Sequence, residues 1–92
     1  MSEKEIEEIL KLKNDKFFRP YAKLLILLHR FQDHRELYNI MREVLGGSYI
    51  YHVKEAVTDG LVVYEKGEFP RLTEKGRKIA EALYSAWRTI QE

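Results

Sequence analysis

The chain has 92 residues, 45% hydrophobic and 34% charged, with a formal net charge of +1. That composition excludes a disordered chain and leaves room for one globular domain. The lack of cysteine removes disulfides, thiolate zinc sites and cysteine nucleophiles together, and the longest apolar run, Leu24 to Leu28, falls far short of the roughly 20 residues that span a bilayer.

Ser2 followed by Glu5 is a capping box, and Ile6, Ile9 and Leu10 recur on one helical face, which predicts a short amphipathic helix over 3–13. Asn14-Asp15 ends it. Pro20 disfavours helix at Arg19 and suits a first helical position, so a second helix opens there and runs to about Gln32. Its run Leu24 to Leu28 leaves little polar face, which places it centrally in the core or in a subunit contact. Asp33 with Glu36 makes another capping box, and Leu37, Ile40, Met41, Val44 and Leu45 carry the spacing of a third helix. Gly46-Gly47 stops that helix. Ser48 then caps a fourth, running to about Asp59, with Gly60 in the left-handed position beyond it. Residues 61–64 (LVVY) are β-prone, 65–68 (EKGE) form a polar glycine turn, and 69–72 (FPRL) form a second short extended segment whose Pro70 implies a sheet edge. Thr73 caps a long last helix over 73–91, in which Ile79, Leu83, Ala86, Trp87 and Ile90 stay apolar.

The predicted fold class is therefore mostly α with a small β-hairpin, and two helices separated by a glycine turn are a helix-turn-helix signature. The pieces YHVK (Tyr51 to Lys54), DGLV (Asp59 to Val62) and LTEKGRKIAEAL (Leu72 to Leu83) are the specific ones. In their order and spacing the chain resembles the MarR- and PadR-type winged helix-turn-helix regulators, and also the small winged-helix proteins of archaea and their viruses. The resemblance implies one domain over 1–92, with a winged-helix core at 20–83 and the helices 3–13 and 73–91 as dimerisation elements. It further implies a homodimer that binds double-stranded DNA and regulates transcription, with the helix 48–59 in the major groove. Winged helices also serve as protein–protein interaction modules without DNA contact, and fold alone does not decide between the two. A third reading is a small-molecule sensor with a pocket between the last helix and the Leu24–Leu28 helix.

On a helical wheel Tyr49, Val53, Ala56 and Val57 face the core and Ile50 lies near the edge of that stripe. Ser48, Tyr51, Lys54, Glu55 and Thr58 face the other way, with His52 at the boundary. On the resemblance this face reads DNA: Lys54 meets guanine or a phosphate, Tyr51 and Ser48 meet phosphates or base edges, and Glu55 accepts from cytosine. The same residues equally suit a solvated face. Basic charge is concentrated between Lys16 and Lys54, where seven Lys or Arg stand against three acids. Arg35, in the expected first turn of the third helix, is placed for phosphate, flanked by Tyr38, Arg42 and Lys23. Lys66 and Arg71 add one backbone contact each, but the tip Glu65-Lys66-Gly67-Glu68 is net acidic, which predicts a short, peripheral wing.

Leu83, Tyr84, Trp87 and Ile90 of the last helix, with Ile6, Ile9 and Leu10 of the first, form the expected dimer interface. The competing reading packs the two terminal helices on each other within one chain. His29, His34 and His52 have no carboxylate pair at ligand spacing, so no metal or cofactor is expected. No glycine-rich phosphate loop, activated nucleophile or paired catalytic carboxylates are recognisable, so no catalytic residues and no enzyme are expected. No basic segment precedes an apolar stretch at the N-terminus; the expected location is cytoplasmic, away from membranes.

Overall fold

Pro20 holds its φ near the helical value and lacks an N–H that a first turn leaves unpaired anyway, and the helix it opens is the axis of the molecule. The computed structural model describes residues 3–92, so Ser2 and the cap assigned to it lie outside the described residues. In chain order the elements are α1 (Glu3–Leu10), a 3-10 turn (Lys11–Asn14), α2 (Pro20–Arg30), α3 (Leu37–Leu45), a 3-10 turn (Gly46–Ser48), α4 (Tyr49–Thr58), β1 (Val62–Val63), β2 (Arg71–Leu72) and α5 (Glu74–Gln91). The fold is mostly helical with one antiparallel hairpin, in register Val62 to Leu72 and Val63 to Arg71. Among the described residues no helix is long and apolar enough to cross a membrane.

α2 packs against α3, α4 and α5, and Leu24, Leu25, Ile26, Leu27 and Leu28 are all buried. Five consecutive buried side chains point to every side of a helix, so α2 is surrounded, as its missing polar face predicts. Leu12, Phe31, Leu37, Met41 and Val53 complete the same cluster. The radius of gyration, 12.1 Å, matches the roughly 12 Å expected for one packed body of this length.

The joints around α4 are made by glycine and threonine. Gly46, at φ 74°, ends α3 in a conformation that L side chains avoid. Gly60 closes α4: its N–H reaches the Val57 carbonyl at 3.1 Å while the Leu61 N–H reaches the Ala56 carbonyl at 2.9 Å, the paired bonds of a Schellman end. Thr73 ties three elements together. Its N–H donates to the Leu61 carbonyl at 2.9 Å, and its hydroxyl donates to the Gly60 carbonyl at 2.8 Å and accepts the Gly76 N–H at 3.0 Å. A Cβ at Gly76 would overlap the Leu61 carbonyl oxygen and lie 2.9 Å from the carbonyl carbon, so only glycine lets α5 start this close to the hairpin.

Several sequence-based boundaries are corrected. α2 ends at Arg30, two residues early. Asp33 adopts a positive φ of 59° and does not cap α3; His34 Nδ1 instead accepts the Glu36 N–H at 3.0 Å, and the helix begins at Leu37. Arg35 therefore lies in the turn before α3. Ser48 belongs to the 3-10 turn that runs straight into α4, with its hydroxyl 3.4 Å from the Leu45 carbonyl rather than on a helix N–H. Each strand of the hairpin has two residues instead of four. Val57, expected in the core, is 41% exposed.

The terminal helices meet within the chain. Ile9 and Trp87 are buried by this chain alone, so neither has apolar surface left for a second subunit. Arg88 pairs with Glu8 at 3.4 Å and Arg30 with Glu5 at 3.4 Å, which joins α1 to α5 and α2. Lys13 pairs with Glu43 at 3.3 Å and fastens the following turn to α3. Such exposed pairs orient the helix more than they stabilise it, at about 0–1 kcal/mol each. Ile6, Leu10, Leu83 and Tyr84 are half-buried against the same core, and Ile90 is half-buried outside it.

Candidate nucleic-acid interface

The side chains of α4 divide by helical period. Val53 and Ala56 are fully buried, Tyr49 and Ile50 pack beside them, and Tyr51, Lys54, Glu55 and Thr58 point outward together. Tyr51 is 70% exposed, an unusual position for a large aromatic side chain. Ser48 is exposed just before this face, and the Thr58 hydroxyl donates back to the Lys54 carbonyl at 3.1 Å. His52 is half-buried, its Nδ1 3.9 Å from Glu55 Oε1.

Two tyrosines fix the ends of this helix. The Tyr21 hydroxyl, in the first turn of α2, donates to Asp59 Oδ2 at 2.6 Å and clamps the C-terminal end of α4. Burial first, then the bond to Asp59, then the charges of Asp59 and Glu55 raise the Tyr21 phenol well above its ordinary range, so it stays a donor. Tyr38 of α3 sits 5.2 Å from the Phe69 ring and 6.4 Å from the Tyr49 ring, and its hydroxyl donates to the Glu68 carbonyl at 3.2 Å. Burial and then a hydrogen bond with Tyr64 push Tyr38 up to about 12. These contacts hold the hairpin loop down on α3 and the start of α4. The Tyr21–Asp59 clamp joins positions 38 residues apart and leaves no local signal in the sequence. Gly76 does leave one, a glycine in the first turn of an otherwise strong helical pattern.

Of the cations expected near this face, Arg35, Arg42, Lys54 and Lys66 are exposed and make no ion pair among the described residues. Three other residues expected there have partners within the chain. Lys23 is only 7% exposed, and its ammonium donates to the Asp15 carbonyl at 3.0 Å, closing the end of the preceding turn rather than facing solvent. Arg71 pairs with Asp33 at 3.8 Å, which offsets part of its charge. Tyr38 has its hydroxyl on Glu68 and its ring in the aromatic cluster.

At the opposite end of α2 a cleft of about 500 Å³ is lined by Glu5, Glu8, Arg30, Tyr84, Trp87 and Arg88, with the Arg30 guanidinium 4.6 Å over the Tyr84 ring. It is lined by ion pairs and lies between α1, α2 and α5. The sequence places a pocket between the last helix and the Leu24–Leu28 helix; this cleft lies between those two helices at the Arg30 end of α2, and Leu24 to Leu28 themselves are buried and do not line it. The three histidines stand apart. His34 takes the Glu36 N–H, His52 faces Glu55, and His29 packs against α5 with its ring 5.8 Å from Tyr84 and its buried Nδ1 without a hydrogen-bond partner among the described residues.

Comparison of the chain with protein-family models, with curated protein sequences and with solved structures found no match.

Proposed function

We propose that this chain binds double-stranded DNA, and more particularly that it is a homodimeric winged helix-turn-helix regulator that seats α4 of each subunit in a major groove. The observation that carries the reading is the unpacked face Tyr51-Lys54-Glu55-Thr58, with the unpaired cations Arg35, Arg42 and Lys66 on the neighbouring elements. A major groove about 12 Å wide admits one helix, and a helix held at both ends presents its side chains to base edges with little ordering cost. The hairpin, tied down through Tyr38 and acidic at its tip, plays a peripheral part in this scheme.

Self-association is assigned to the outer side of α5. Ile79, Ala82 and Ala86 are exposed and Ile90 is half-buried, and their spacing aligns them along one side of the helix. This stripe replaces Trp87 and Ile9 as the dimer contact. The closing experiment is selection of bound duplexes from a random library, followed by anisotropy titrations across salt concentrations. With about six to eight phosphates neutralised per dimer, log affinity should fall against log salt with a slope of about −5 to −7. Lys54→Ala and Tyr51→Ala should weaken binding at particular base positions while leaving the melting temperature unchanged. Absence of binding to any duplex at low salt, or binding indifferent to salt, refutes the reading and leaves the protein-interaction module, which the near-neutral charge and acidic tip favour.

A further inference from the structure

Phe17 is 75% exposed, more than any other large apolar side chain among the described residues. It sits in the segment Lys16-Phe17-Phe18-Arg19 between the first 3-10 turn and α2, and it is not loosely attached. Both the Phe17 and Phe18 N–H groups donate to Asp15 Oδ2, at 3.0 and 2.8 Å, and Phe18 packs on the core beneath. The backbone that displays Phe17 is thus fixed at both of its amides, so the exposure of the ring is imposed by the fold.

The charges around Phe17 are one-sided. Lys16 and Arg19 are exposed and make no ion pair among the described residues. Asp15, the acid just before the segment, has one carboxylate oxygen occupied by two amides, and the buried Lys23 ammonium sits on its carbonyl. An exposed aromatic ring flanked by two free cations is poorly suited to water and well suited to a polyanion that also offers flat apolar surface. Continuity selects which polyanion. The loop leads directly into the first turn of α2, where Tyr21 grips Asp59 at the end of α4, so it borders the helix assigned to the major groove.

We propose that this loop is a second contact on the same duplex, with Lys16 and Arg19 on phosphates flanking the groove that α4 enters and Phe17 against the sugar and base edges there. The proposal rests on the DNA-binding reading of α4, and it extends the footprint of each subunit beyond the bases that α4 reaches. Phosphate contacts fix register and orientation, and an apolar side chain placed against the groove wall adds area that does not depend on salt.

The experiment is an anisotropy titration of the full chain on its selected duplex, with wild type, Phe17→Ala, Lys16→Gln/Arg19→Gln and Lys54→Ala compared over a range of salt. Losing two phosphate contacts per protomer should reduce the steepness of the log–log salt plot by about 1.8 per protomer. Phe17→Ala should weaken binding about fivefold at unchanged slope, the effect of leaving some 40 Å² of apolar surface in water. Trimming base pairs from the ends of the duplex should weaken wild type and leave Phe17→Ala little affected. All four substituted residues are exposed, so unchanged melting temperatures check the fold. Wild-type binding with unaltered affinity and slope in the loop variants overturns the proposal while leaving the α4 reading standing; no wild-type binding to any duplex overturns both. Binding to phosphatidylglycerol vesicles that is lost in Phe17→Ala, with duplex binding unchanged, assigns the loop to anionic lipid instead and also overturns it.

Discussion

Gly76→Ala sets two physical effects against each other. In a helix interior glycine is about 1 kcal/mol less favourable than alanine, so propensity alone makes the substitution stabilising. At this site the added methyl overlaps the Leu61 carbonyl oxygen, a backbone atom that cannot rotate away. Relief requires the start of α5 to move away from Leu61 by roughly 1 Å, since non-bonded carbon and oxygen atoms settle somewhat above 3 Å. That movement strains the Thr73 N–H to Leu61 carbonyl bond at 2.9 Å, the Thr73 hydroxyl to Gly60 carbonyl bond at 2.8 Å and the cap on the Gly76 N–H at 3.0 Å. Two hydrogen bonds at about 1 kcal/mol each and a cap at about 1 kcal/mol, added to overpacking of about 1–3 kcal/mol and reduced by the propensity gain, give a net loss of about 3–5 kcal/mol. For a domain of this size that lowers the melting temperature by about 12–40 °C. The matched control is Gly47→Ala, where nothing lies within 4 Å of the new Cβ. Thermal melts followed by circular dichroism compare the two. A Gly76→Ala protein melting at or above wild type refutes the close-approach account and leaves only propensity.

Three further outcomes are expected. Lys23→Met removes the ammonium from the Asp15 carbonyl and leaves that acceptor unpaired, so urea unfolding should show a loss of about 1–3 kcal/mol, while the salt slope of any DNA binding stays at the wild-type value; a reduced slope returns Lys23 to the phosphate contacts. Trp87→Ala should unfold or destabilise the chain by about 3–5 kcal/mol rather than dissociate folded subunits, whereas Ala86→Glu on the outer stripe should yield folded monomers in sedimentation velocity. His29 has its pKa lowered, chiefly by burial and then by Arg30 and Arg77, with Glu81 at 4.0 Å opposing and Tyr84 covering the ring. Because the unfolded chain then takes the proton first, stability is constant above about pH 6.5 and falls as pH drops through that value toward the folded-state pKa. Urea titrations between neutral and mildly acidic pH should show that fall in wild type and a smaller one in His29→Leu; equal slopes would assign the pH dependence elsewhere.

Local chemistry carried the order of elements. Pro20, the Gly46-Gly47 pair, Gly60 and Thr73 each impose a backbone state that one or two hydrogen bonds complete nearby, so their consequences are readable from the chain alone. The outward face of α4 was legible for the same reason, since a helix of known start has a fixed period. What failed was whatever depended on competition between neighbouring groups or on packing. Asp33 and Ser48 look like caps, yet His34 and a continuous 3-10 turn decide those helix starts. Lys23 looks like a free cation until α2 folds against the Asp15 carbonyl, eight residues back in sequence.

The apolar stripe of the last helix divides in the same way. Its sequence established a long amphipathic helix, because apolar spacing needs no partner to be recognised. Which side is buried and which stays exposed was decided by the arrival of α1 and α2, which close over Trp87 and leave Ile79, Ala82 and Ala86 outside. Periodicity fixes the existence of a face; only tertiary packing fixes what covers it, since burial is a property of two surfaces and the sequence of one helix describes one of them.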